Sequence, residues 1–196
     1  MPIKYTNRKG VTYYLCKGLA KSGKPRYYFA RKPQDEPVEQ IPQGYKINEN
    51  VNGLVYLAKD EPSLILQDEA AAVQKVLSKH RKSQNYRLGI RRDRIEIYEL
   101  LGPDAEEILS VFRAEGINVS AAGIERLKDS HERRAKFEAV LRFILADAEQ
   151  RTFRVERRYY SGCGGWKRLF AVTGPIGELA RQIVPKLGEE EFFELW

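Results

Sequence analysis

Residues 11–31, VTYYLCKGLAKSGKPRYYFAR, decide how this chain begins to fold. Two runs, residues 11–17 and 25–31, are rich in aromatic and β-branched side chains, and a glycine-bearing basic stretch, residues 18–24, separates them. That is the pattern of a β-hairpin with a basic loop. Alternation along each strand puts Tyr13 and Tyr27 on one face and Tyr14 and Tyr28 on the other.

The charge of this region is as unusual as its pattern. Residues 1–32 hold nine Lys and Arg and no Asp or Glu, whereas the whole chain of 196 residues carries a net +7, so the remainder is slightly acidic. A solvated surface normally mixes both signs. An acid-free basic stretch interleaved with tyrosines therefore points to an anionic partner. A two-stranded ribbon fits the DNA major groove, and exposed aromatics beside cations can stack bases of a single strand. The candidate contacts are Lys17, Lys21, Lys24, Arg26 and Arg31, with Tyr14 and Tyr28 as stacking or packing groups.

Outward from the hairpin, residues 33–44 form a connector of opposite charge with prolines at 33, 37 and 42. Residues 45–49 and 54–57 flank Asn52-Gly53, a two-residue turn signal, which predicts a second hairpin and a sheet of about four strands over residues 1–60. Such a sheet needs cover. The stripe Val73, Val76, Leu77 and His80 predicts a helix that would supply it. Residues 1–83 thus read as a basic sheet-plus-helix module. Its layout resembles, in pattern only, small β-sheet-plus-helix DNA-binding modules such as the arm-binding domains of tyrosine recombinases. That resemblance implies DNA as the partner. The catalytic Arg/His/Tyr set of that family is not found downstream.

Residues 84–196 read as an α+β body. Tyr86, Leu88 and Ile90, then Ile95 and Ile97, alternate around Arg91-Arg92-Asp93-Arg94, which predicts a hairpin with an arginine tip. Arg91 and Arg92 join the candidate contacts, because guanidinium forks suit phosphate oxygens. Gly102-Pro103-Asp104 opens a helix that Gly116 stops, with Ile108, Leu109 and Phe112 inward. Residues 117–135 read as an exposed, partly helical connector. Residues 137–145, 152–160 and 166–173 predict a three-stranded antiparallel sheet, and Pro175 opens a last helix with Ile176, Leu179, Ala180, Ile183, Val184 and Leu187 inward. A second arginine cluster, Arg151, Arg154, Arg157 and Arg158, either extends the basic surface or pairs across strands. No internal repeat is legible.

Other chemistry finds little footing. Cys16 and Cys163 are no disulfide framework, which with no signal segment and no long apolar run makes a reducing, cytoplasmic setting the expectation and a membrane partner unexpected. Cys163 stands in a glycine loop, but a nucleophilic thiol needs a base. Only His80, on an apolar stripe, and His131, in a charged connector, are present. Two Cys and two His with no close pair give no zinc spacing, and no cofactor motif is found. The nearest carboxylate sets for a metal-dependent nuclease are Asp93, Glu96 and Glu99, and Asp104, Glu106 and Glu107. The C-terminal Phe192, Phe193 and Trp196 are a possible protein-docking tail. The expectation is a non-catalytic nucleic-acid-binding α+β protein, with a protein-interaction module or a small nuclease as alternatives.

Overall fold

A computed structural model describes residues 1–159 and 165–194. The chain forms two compact units: Met1–Glu61 with Ala121–Ala135, and Pro62–Ser120 with Lys136–Trp196. The architecture is mixed α+β with antiparallel sheets. Among the described residues, no helix is long and apolar enough to cross a membrane.

The first unit is built on β2 (Thr12–Leu19), which pairs along one edge with β3 (Pro25–Ala30) and along the other with two short strands, β1 (Lys4–Thr6) and β4 (Glu36–Pro37). β5 (Tyr45–Glu49) and β6 (Val55–Lys59) make the second expected hairpin. It does not join the first: β5 and β6 form a separate two-stranded sheet, and the fourth place beside β2 goes to β4.

One turn device closes both outer hairpins. In residues 7–11 the Asn7 N–H donates to the Val11 carbonyl (3.0 Å) and the Gly10 N–H to the Asn7 carbonyl (2.9 Å). In residues 50–54 the same two bonds run from Asn50 to Leu54 and from Gly53 to Asn50, at 3.0 Å each. In each, the leading Asn accepts two further amides on its Oδ1. The glycine of each turn has a φ near +78°, at 76° and 79°, where a Cβ would be strained. The Asn52-Gly53 turn is thus a longer loop led by Asn50, not a two-residue one. The two turns also lock together, because Asn7 Nδ2 donates to the Gly53 carbonyl at 2.7 Å and the Arg8 side chain grips Glu49 at 2.8 Å. The two turns share the spacing Asn-x-x-Gly, at Asn7–Gly10 and Asn50–Gly53.

The second unit opens with α1 (Gln67–Leu77). This is the helix expected over the N-terminal sheet, yet its Val73 and Leu77 are buried in the core of the second unit. β7 (Tyr86–Ile90) and β8 (Arg94–Leu100) follow as the third hairpin. Then comes α2 (Ala105–Ala114), opened by a reciprocal cap: the Glu107 N–H donates to Asp104 Oδ1 (2.9 Å) and the Asp104 N–H to Glu107 Oε2 (3.0 Å). Only Leu109 of α2 is fully buried, while Ile108 and Phe112 are half-buried. The chain next returns to the first unit for α3 (Ala121–Arg134), a helix with no buried residue where a partly helical connector was expected.

β9 (Phe137–Asp147), β10 (Thr152–Tyr159) and β11 (Gly165–Pro175) are the three strands read from sequence. They do not stand apart from the third hairpin. β8 pairs with β9, giving one five-stranded antiparallel meander in the order β11-β10-β9-β8-β7. Register explains the merger: Ile95 lies opposite Phe143 and Ile97 opposite Leu141, so one apolar face runs across the sheet. That face carries Phe143, Phe153, Val155 and Leu169, all almost fully buried. α1 and α4 (Ile176–Ile183) cover it, α4 through Ile176, Leu179, Ala180 and Ile183 at helical spacing. α5 (Glu190–Glu194) seats Phe192 in the same core.

Candidate functional site

The basic hairpin outgrows its sheet. β1 and β4 flank β2 only as far as Lys17, so beyond that residue β2 and β3 continue as a two-stranded ribbon. Its rungs are Lys17 opposite Tyr27, Gly18 opposite Arg26, and Leu19 opposite Pro25. The Ala20 N–H donates to the Lys24 carbonyl (2.9 Å) and the Gly23 N–H to the Ala20 carbonyl (2.8 Å), which closes the tip. Residues 21–27 are all exposed, and Leu19 is 77% exposed. From Lys17 to Ser22 the ribbon reaches about 15 Å.

The candidate contacts separate by what they touch. Lys21, Lys24, Arg26 and Arg31 are exposed and form no ion pair among the described residues. The same holds for Lys4 and Lys32, which the sequence reading did not single out. Lys17 instead bonds Glu36 of β4 at 3.2 Å. Tyr14 and Tyr28 share the face of Cys16, as alternation requires, and both are half-buried. The Tyr28 hydroxyl donates to Asp35, and that bond to a carboxylate pushes the phenol up to about 12. The more exposed aromatic is Tyr27, on the Lys17 face, at 38%. Ribbon position, not side-chain type, separates Tyr27 from Tyr28.

The arginines of the second unit are held differently. Arg91 and Arg94 turn back from the hairpin tip onto Glu96, at 3.2 and 2.8 Å, and Tyr98 donates to the same carboxylate at 2.6 Å. Glu96 is 6% exposed. Burial would raise its pKa, but the hydrogen bonds from Tyr98, Arg94 and Arg91 outweigh burial and hold it below the usual carboxylate range. Arg92 is exposed, and its carbonyl accepts from the Leu64 N–H at 2.7 Å. In the second arginine cluster, Arg151 grips Glu69 through two bonds of 2.8 and 2.6 Å, Arg154 meets Glu156 at 3.2 Å, and Arg158 meets Glu138 at 3.3 Å. Arg142 also bonds Glu156 and lies over the Trp166 ring at 4.1 Å. Arg157 is buried on the core face, donating to the Phe193 carbonyl at 2.6 Å.

The remaining chemical candidates are mostly engaged in structure. His80 accepts the Lys82 N–H on Nδ1 (3.2 Å), and its Nε2 meets the Leu187 carbonyl (3.1 Å), so that nitrogen carries the proton. His80 borders a groove of about 700 Å³ between α1 and α4, rimmed by Lys75, Lys79 and Arg181. With both ring nitrogens bonded, it offers that groove no base. Asp104 caps α2, and Glu99 accepts the Tyr86 hydroxyl at 2.8 Å. Among the described residues, no group of three His, Cys, Asp or Glu could hold a metal ion. Cys16 is buried, and Cys163 and its glycine loop lie outside the described residues, as does Trp196. Phe192 is 3% exposed, which removes it from any docking surface, and Phe193 is half-exposed.

No protein-family model, curated protein or solved structure matches this chain.

Proposed function

We propose that the protein binds nucleic acid, without catalysis, through the basic ribbon of its first unit. The observation that carries this reading is the placement of Lys21, Lys24 and Arg26 at the end of a projecting hairpin where no carboxylate meets them. Unpaired cations with solvent on every side keep their full charge for phosphate oxygens. Cations already bonded to a carboxylate must exchange one partner for another and gain little. Arg31 and Lys32, also unpaired, follow directly on β3 and extend the same basic edge. Tyr27 adds an exposed ring beside them.

The test is a fluorescence-anisotropy titration against single- and double-stranded DNA and RNA over a range of salt. Three to five phosphate contacts give a log–log slope of roughly −3 to −4.5. No binding at low salt, or affinity indifferent to salt, would remove the proposal.

A further inference from the structure

The end of the ribbon carries an apolar pair where a groove-reading ribbon would need hydrogen-bonding side chains. Leu19 and Pro25 are direct cross-strand partners, and both are exposed, Leu19 at 77%. They share a face with Tyr27 and Lys17, while Arg26 points to the opposite face. Neither Leu nor Pro can bond a base edge, and proline lacks even the backbone donor. After Met1, Leu19 is the most exposed large hydrophobic side chain among the described residues.

The order of residues along the ribbon narrows that partner. From base to tip the rungs run Lys17 with Tyr27, Gly18 with Arg26, Leu19 with Pro25, and then Lys24 and Lys21 around the turn. The apolar pair is therefore bracketed by cations on both sides. A lipid surface asks for the reverse arrangement, with the apolar residues deepest and the cations behind them at the headgroups. Here Lys21 and Lys24 lie beyond Leu19 and Pro25 and would have to enter the hydrocarbon first. Duplex DNA suits the bracketed order, because an apolar wedge between two base pairs has phosphates on either side of it. Gly18 adds no side chain to the rung with Arg26, and the Asp35 carboxylate takes the place that a Cβ there would fill, 2.8 Å from it.

We infer that the ribbon enters the minor groove of duplex DNA, that Leu19 and Pro25 wedge a base step open, and that Lys21, Lys24 and Arg26 hold the phosphates flanking the resulting bend. Side chains of this kind unstack a step and kink the helix toward the major groove. Flexible pyrimidine–purine steps are the preferred targets, since they unstack at least cost. The inference rests on the nucleic-acid reading above and names its ligand and mode.

The experiment uses the full chain and a duplex of roughly 30 base pairs, carrying a dye at each end and 2-aminopurine beside a central TA step. Binding is followed by anisotropy, bending by energy transfer between the ends, and unstacking by 2-aminopurine fluorescence. The unaltered protein should raise both energy transfer and 2-aminopurine emission at saturation. The L19A/P25A variant should bind the same duplex within about tenfold of the unaltered protein, yet leave both signals at their free-DNA values. Its thermal unfolding should be unchanged, because both side chains are exposed. Saturable binding with no change in either signal would overturn the wedge while leaving nucleic-acid binding standing. Equal bending by L19A/P25A would do the same. Preferential uptake onto phosphatidylserine vesicles, lost on Leu19→Ala, would replace DNA with a lipid surface. Failure to bind any DNA or RNA at low salt would remove the nucleic-acid reading itself, and this inference with it.

Discussion

The tip of the ribbon in the first unit and the sheet arginines of the second treat their cations in opposite ways. In the second unit Arg91, Arg94, Arg142, Arg151, Arg154 and Arg158 each meet a carboxylate from the same or a neighbouring strand or from α1. At the ribbon of the first unit Lys21, Lys24 and Arg26 meet none among the described residues. Both regions are rich in Lys and Arg. What separates them is whether an acid lies within reach after folding. Paired guanidinium groups hold a sheet together, and unpaired ones remain available to a partner.

The comparison can be broken or sharpened by five variants. The largest effect on folding is expected from Glu96→Ala, which strands Arg91, Arg94 and the Tyr98 hydroxyl around an empty site. The loss is about 3 kcal/mol, read from the denaturant midpoint, and a loss below about 0.5 kcal/mol would mean that these arginines are not held as described. The same carboxylate shapes the acid limb of stability. The folded state holds Glu96 and Glu49 below their ordinary range. Each therefore contributes stability above its unfolded pKa, and that contribution is lost as pH falls through the folded value. Glu96→Gln should lower stability at neutral pH and flatten the decline below about pH 4.

Next in size is reversal of the ribbon cations, K21E/K24E/R26E. Affinity for nucleic acid should fall at least a hundredfold, about 2.7 kcal/mol, while the unfolding midpoint moves by less than about 0.5 kcal/mol. A large loss of stability here would show that these side chains have structural partners. Arg8→Ala asks whether pairing or location matters, because Arg8 lies in the first unit yet bonds Glu49. It should cost about 1 kcal/mol of stability and leave affinity unchanged. Lys17→Ala is the smallest. Its exposed bond to Glu36 is worth less than about 0.5 kcal/mol, and affinity should weaken no more than two- to threefold on the scale of one phosphate contact.

What the sequence disclosed follows the same divide between local and distant partners. The ribbon was legible because alternation, a glycine turn and an acid-free window all lie within residues 11–31. Lys21, Lys24 and Arg26 are exposed in the fold and meet no carboxylate among the described residues. The fate of Arg8 and Arg151 was hidden, because their partners Glu49 and Glu69 are 41 and 82 residues away. Arg91 and Arg94 were hidden for another reason. A hairpin tip is exposed by default, but the buried Glu96 draws both side chains back along the strand. The stripe of α1 showed that it would be buried without showing where, for an apolar face fits any apolar sheet. The joining of β8 to β9 was masked by the 36 residues between Leu100 and Phe137, which α2 and α3 fill. β1 is three residues long, too short to display a period.

Because α3 completes the first unit only after the chain has passed through part of the second, synthesis and folding run out of step. Residues 1–61 emerge first and can close their hairpins at once, but the segment Ala121–Ala135, whose terminal carbonyl receives Lys9 Nζ at 2.6 Å, arrives later. At ordinary elongation rates the delay is roughly 4–15 s. During that interval the acid-free stretch, residues 1–32, belongs to a unit that is not yet whole. A protein cut after residue 61 would be arrested at that stage, so the ribbon is best assayed on a chain that extends through Ala135.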